Sequence, residues 1–233
     1  MKKFIALSVS LLALAAAGPA AAQLKRESLL ERIDSCEAIL QEFQGNPKLA
    51  IPADVLKRAK GLIIINQFSG SFFLGVKDGY ALMTVRRPNG KWSLPVFLRA
   101  GELSFGFQFG GRATNTVMVL LDDAVARRLF EGRFNLGAEF KAVAGIRATG
   151  VRTLDAQRVT NPLPADADVL VYSTHEGLQA GLALKTGWIA PDTRANQMFY
   201  NTRYGLPEIL YSDWITAPEE VKFFMSEVTR QTQ

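Results

Sequence analysis

Glycine placement constrains this chain more tightly than any other feature. Gly75-Val-Lys-Asp-Gly79, Gly106-Phe-Gln-Phe-Gly110, Gly137-Ala-Glu-Phe140 and Gly181-Leu-Ala-Leu184 each set a glycine at the head of an alternating, strand-like run, and the first three are spaced by 31 residues. Glycine inside a strand weakens it, so it marks a bulge, a sharp bend or the close approach of another backbone. Four such strands predict a strongly curved, mainly antiparallel sheet, open or closed into a barrel, with helices packed around it. The repeat is too degenerate for a solenoid or propeller. The expectation is a single α+β domain.

The segments between the glycines fit that frame. Leu29, Ile33, Cys36, Leu40 and Phe43 recur at helical steps and predict an amphipathic helix over about 24–44, ended by Gly45-Asn46-Pro47. A second helix is expected from Pro52 to Gly61. Leu62-Ile63-Ile64-Ile65 then reads as a strand buried on both faces. Asp78-Gly79 suggests a tight hairpin, and Arg86-Arg87-Pro88-Asn89-Gly90-Lys91 a second turn after which Trp92 opens the next strand. Further strands are expected over 103–110, 116–121, 136–143 and 169–173, with a short helix from Asp122 to Gly132 between them. Thr216-Ala-Pro-Glu219 has the pattern of a capping box, and the helix it opens would turn Val221, Phe224, Met225 and Val228 inward.

The N-terminus reads as a secretory signal. Met1-Lys2-Lys3 is a basic start, Phe4 to Ala17 is apolar and uncharged, and Gly18-Pro19 precedes the small run Ala20-Ala21-Ala22. That apolar stretch is shorter than the ~20 residues a spanning helix needs. Residues 1–22 are therefore expected to be a cleaved signal peptide and 23–233 the folded domain, exported to the periplasm or cell envelope. With no cysteine at the cleavage point, neither a lipoprotein anchor nor a later transmembrane span is expected.

Charge and chemistry narrow the function classes. The net charge is +5, which falls to +3 without Lys2 and Lys3. That balance suits an anionic surface, and no arginine-rich tract or nucleic-acid motif accompanies it. One cysteine, Cys36, allows no internal disulfide, and its place on the helical stripe suits a small buried apolar group. One histidine, His175, and one cysteine do not make the usual zinc sets. No Gly-x-Ser-x-Gly elbow, phosphate loop or Rossmann spacing occurs. No enzyme, cofactor or metal is expected.

Two basic segments remain as candidate lipid contacts. In the first helix Lys25, Arg26 and Arg32 lie beside Leu29, Leu30 and Ile33, so the segment either lies on a membrane surface or packs its stripe on the core. In the turn, Arg86, Arg87 and Lys91 stand beside Trp92, whose indole either reaches a headgroup boundary or packs inward.

Several short pieces, in order, carry a resemblance. They are Ile51-Pro52 with Val55-Leu56 and Ala59-Lys60-Gly61; Gly75-Val-Lys-Asp-Gly79; Gly90-Lys91-Trp92-Ser93-x-Pro95; Gly106-Phe-Gln-Phe-Gly110 leading to Val117-Met-Val-Leu120; Gly177-Leu-Gln-Ala-Gly181-Leu; and Asp192 with Asn196 before Tyr204-Gly205. From about Ile51 to Leu210 the chain resembles the SYLF family of lipid-binding and yeast actin-patch proteins, which is common among bacterial exported proteins. The resemblance implies a phospholipid-binding domain, with phosphoinositide and actin binding known among eukaryotic members. It also implies lipid contact through a basic N-terminal amphipathic segment, here nearest to Lys25, Arg26 and Arg32. In an exported protein the implied partner is an anionic phospholipid membrane, not actin or nucleic acid. A structural or adaptor role with a protein partner, a carrier of a small apolar ligand, and a hydrolase with His175 in hydrogen-bond reach of a Ser or Asp remain the alternatives.

Overall fold

A computed structural model describes residues 24–70, 75–104, 113–135, 139–145, 167–174 and 187–233. The expected signal segment, His175 and the glycines at 106, 110, 137 and 181 lie outside the described residues. The fold is α+β, as the glycine-headed strands predict. It is a single domain whose sheet curls into a half-barrel.

The described strands are β1 (Gly61–Gly70), β2 (Gly75–Val85), β3 (Val96–Ser104), β4 (Ala113–Leu120), β5 (Phe134–Asn135), β6 (Ala142–Ala144), β7 (Val169–Ser173) and β8 (Gly187–Pro191). Their order across the sheet is β5-β8-β3-β2-β1-β4-β7-β6, and every pairing is antiparallel except β6 with β7. The centre is apolar on both faces. Leu62 to Ile65, Ala81 to Val85, Val96 to Leu98 and Val117 to Leu120 are buried as continuous runs, the pattern of strands covered on both sides.

Helix α1 (Arg26–Gly45) lies against β1, β2 and β4. Its stripe of Leu29, Ile33, Cys36, Ile39, Leu40 and Phe43 is buried, each large apolar side chain contributing about 1.5–3 kcal/mol on leaving water. Helix α2 (Ala53–Arg58) follows, capped by Pro52. Helix α3 (Asp123–Arg128) begins where the Asp122 carboxylate accepts the Ala124 N–H at 2.8 Å, and its 3-10 extension ends at Gly132, φ +120°. Helices α4 (Thr193–Tyr200), α5 (Leu206–Tyr211) and α6 (Glu219–Gln231) close the chain. Helix α6 buries Val221, Phe224 and Val228 and packs on α1.

Four local expectations are corrected. Asp78-Gly79 is not a hairpin tip, because β2 runs straight through it and Gly79 pairs with Gln67. A Cβ on Gly79 would sit 2.6 Å from the Asn66 carbonyl oxygen, so this glycine serves close backbone approach rather than a turn. The run expected over 136–143 is not one strand: of its described residues only Ala142 and Val143 belong to a strand, β6, and before it the Glu139 carboxylate accepts the Asn135 N–H at 3.0 Å and the Arg128 Nε at 2.6 Å. Thr216 caps nothing, since α6 starts three residues later behind Pro218 without a side-chain cap. Trp92 forms only an isolated bridge with Arg86, and β3 begins at Val96.

Candidate functional site

The N-terminal helix uses its basic side chains internally. Arg26 donates from Nη1 to the Phe199 carbonyl and from Nη2 to Glu220 Oε1, both at 2.8 Å, while its guanidinium lies 4.7 Å over the Phe199 ring. That bond, first among the causes, holds the Glu220 carboxyl below its ordinary value. Arg32 donates to Asp192 Oδ2 at 3.2 Å and lies 5.3 Å over the Tyr80 ring. Leu29 and Ile33 face the sheet, and Leu30 packs partly buried beside them. The helical stripe therefore takes the core-facing of its two open roles, because the sheet offers it an apolar face. Of the three cations in this segment, Lys25 extends into solvent from the cap position.

The turn between β2 and β3 behaves similarly. It is closed by the Arg87 N–H to the Lys91 carbonyl at 2.8 Å and the Gly90 N–H to the Arg87 carbonyl at 2.9 Å. Gly90 has φ +81°, a left-handed conformation that glycine adopts without strain. Trp92 is only 7% exposed and its indole N–H donates to Thr232 Oγ1 at 2.8 Å. Arg86 lies 5.1 Å over that indole and donates to the Thr232 carbonyl at 3.1 Å. Arg87 donates to the Leu210 carbonyl at 2.7 Å and to Asp213 Oδ1 at 2.6 Å. The turn is thus tied to the end of α6 and to the segment after α5. Lys91 remains as its exposed cation.

The contact with Asp213 brings in side chains that sequence reasoning passed over. Trp214 is 67% exposed and Tyr204 is 47% exposed, with ring centroids 6.2 Å apart in an edge-to-face pair. Arg203 stands exposed next to Tyr204. Tyr211 packs its ring against Phe130 at 6.1 Å. The sequence held a signal for this: Ser212-Asp213-Trp214 lies in a stretch with no apolar period to draw the indole inward. The result is a small aromatic surface beside the basic turn.

Among the described residues no group of three or more His, Cys, Asp and Glu side chains gathers that could hold a metal ion. Cys36 is buried against the Ile64 carbonyl, and burial pushes its thiol up to about 12. Asn115, on β4, donates from Nδ2 to Glu42 Oε2 at 3.2 Å and joins the sheet to α1. No described helix is long and apolar enough to cross a membrane.

The Ysc84 family, described as Las17-binding protein actin regulator, matches residues 101–231. The chain belongs to the Ysc84 family. The matched residues run from within β3 to the end of α6, and so include Tyr204 and Trp214. The bovine SH3 domain-containing YSC84-like protein 1 is 30% identical over 79% of this chain and 54% of its own length. The human protein of the same name is 29% identical over 75% of this chain and 51% of its own. The LAS seventeen-binding protein 3 of Saccharomyces cerevisiae is 30% identical over 64% of this chain and 32% of its own. The chain thus spans about half the length of the mammalian relatives and a third of the yeast one. No solved structure matches it. The yeast relative is named as a binding protein and the family is described as an actin regulator, and the family resemblance read from the short motifs is correct.

Proposed function

We propose that this Ysc84-family chain is a non-catalytic protein that associates peripherally with anionic phospholipid membranes, exported to the cell envelope once residues 1–22 are removed. The observation that carries the reading is the exposed Tyr204–Trp214 pair, with the exposed Arg203 next to Tyr204 in the chain and the turn that bears Lys91 tied through Arg87 to Asp213. Tryptophan and tyrosine are favoured at the boundary between headgroups and hydrocarbon. Each Lys or Arg near an anionic leaflet adds about 1 kcal/mol. In this reading Trp214 and Tyr204 insert shallowly while Lys25, Lys91 and Arg203 meet phosphates. Arg26, Leu29, Leu30, Arg32, Ile33, Arg86, Arg87 and Trp92 act as the frame that holds those groups. Lys25 precedes Arg26, whose guanidinium reaches Phe199 and Glu220, the two segments that flank Tyr204 and Trp214 in the chain.

The test is co-sedimentation of residues 23–233 with vesicles of rising anionic content at low and high salt. Binding should rise with anionic lipid and fall with salt, because exposed charges are screened. Trp214→Ala and the Lys25→Ala/Lys91→Ala pair should each reduce it several-fold. Absence of binding to every vesicle would refute the proposal. A protein-binding adaptor would then be the reading to pursue, through Phe223, which stands 63% exposed on the outer face of α6.

A further inference from the structure

On the far side of β3 from the basic turn, the sheet builds a second meeting of arginine and tryptophan. Strand β8 pairs with β3 so that Trp188 lies opposite Gly101. The indole is laid over that glycine: a Cβ on Gly101 would come within 2.4 Å of Cζ2 and 2.7 Å of Nε1. The missing side chain is therefore what seats the ring. Arg99, two residues earlier on β3, shares this face by strand alternation, and its guanidinium lies 6.0 Å from the ring centroid. Strand β5 pairs on the other side of β8, with Asn135 opposite Trp188. Arg133, at the entrance to β5, brings its guanidinium to 4.4 Å from the same centroid.

Two cations on one indole need a physical reason. Ring attraction is worth only about 0.5–1 kcal/mol per cation at an exposed site. Five other arginines are matched with carboxylates: Arg26 with Glu220, Arg32 with Asp192, Arg87 with Asp213, Arg128 with Glu139 and Arg230 with Glu227. Arg99 and Arg133 have no carboxylate or hydrogen-bond partner among the described residues, and both are exposed. The Trp188 N–H likewise has no acceptor among the described residues. Two planar forks and an indole N–H, all donors and all unspent within the described residues, lie around one ring. Guanidinium forks match the oxygens of a phosphate two at a time.

We propose that Arg99, Trp188 and Arg133 form a binding site for a phosphate-type oxyanion, carried either by a lipid headgroup or by a soluble phosphate. The anion neutralises the two guanidinium groups together and takes the indole N–H as a further donor. The site does not involve Trp214 or Lys91, so it stands or falls apart from the membrane contact proposed above.

The experiment follows the indole N–H signals of the 15N-labelled chain, with Trp188→Phe identifying the peak. Inorganic phosphate is added at constant ionic strength with chloride as the control, and vesicles of phosphatidylcholine with or without phosphatidylglycerol form a second arm. Phosphate should shift the Trp188 peak saturably where chloride does not. Arg99→Gln and Arg133→Gln should each weaken that response about tenfold, the loss expected for one charge-assisted hydrogen bond, while Arg58→Gln, at an exposed position on α2, leaves it unchanged. A response to phosphatidylglycerol vesicles alone, lost in both variants, keeps the site and makes the headgroup its source. A response to free phosphate alone keeps it with a soluble ligand. No response in either arm, or one that persists in both variants, overturns the proposal. If Trp214→Ala abolishes vesicle binding while the phosphate shift survives, the two sites are separate, as proposed.

Discussion

Two places in this fold set arginine against tryptophan, and they have opposite characters. In the turn at 86–92 the indole is buried, its N–H is bonded to Thr232, and Arg86 and Arg87 reach the carbonyls of Thr232 and Leu210. Among the donors there, the Arg86 Nε is left buried without a partner. At the β3–β8–β5 edge Arg99 and Arg133 flank an equally aromatic centre, yet no donor is spent within the described residues. Composition is the same in both. What separates them is whether the chain's own C-terminus supplies the acceptors. Where it does, cation and indole are structural cement. Where it does not, they are free to meet something else.

The largest test of that contrast is truncation of each indole. Trp92→Ala should lower unfolding stability by about 3–5 kcal/mol, because a buried aromatic leaves a cavity and the Thr232 hydroxyl loses its donor. Trp188→Ala should cost less than half as much, since that ring is only half-buried against Gly101. Urea denaturation reads both. Equal losses would mean that the edge tryptophan is cement as well, and the contrast would fail.

The arginines offer the next test. Arg87→Ala removes the donor to the Leu210 carbonyl and the ion pair with Asp213, and should cost about 1–2 kcal/mol. Arg99→Ala should stay within about 0.5 kcal/mol of the parent, as exposed positions without partners do. A destabilising Arg99→Ala, measured under the same conditions, would assign that guanidinium a structural role.

The sequence revealed one of these regions in part and the other not at all. Helical spacing located α1 and its buried stripe, and the continuous apolar run Leu62 to Ile65 was recognisable as a strand covered on both faces. Gly75, Gly79 and the later glycines announced a curved sheet, although Asp78-Gly79 was indistinguishable from a hairpin tip until the β1 register set Gly79 against Gln67. The basic turn was visible because its cations and Trp92 are adjacent in the chain. Arg99, Arg133 and Trp188 are far apart in sequence and meet only through strand order β5-β8-β3. For Trp214 the one sequence signal of exposure was the lack of an apolar period around Ser212-Asp213-Trp214. Its exposure depends on α5 ending at Tyr211 and on Asp213 being held by Arg87.

The smallest effect concerns pH, and it separates the carboxylate-matched part of the molecule from the β3–β8–β5 edge, where Arg99 and Arg133 have no described carboxylate partner. Glu220 is held below the ordinary carboxylate range by its bond from Arg26, Glu227 by its bond from Arg230, and Glu139 by the Asn135 N–H and then Arg128. A carboxyl lowered in the fold contributes stability that is complete above its unfolded pKa, about 4.3 for Glu, and is lost as pH falls through the lower folded value. Glu37 works in the other direction: burial, then Asp34 and Glu227, push its carboxyl up, so its protonation on acidification relieves the fold and blunts the loss. With three groups lowered against one raised, the melting temperature should hold from neutral pH to about 5 and decline below about 4. The Glu220→Gln/Glu227→Gln pair should flatten that decline by starting from a lower plateau. Arg99→Gln should leave the whole profile in place, because its surroundings contain no described carboxylate partner. A profile that changes shape in Arg99→Gln would reveal an acid paired with the edge, and would remove the distinction between an arginine that holds the fold and one that waits for an anion.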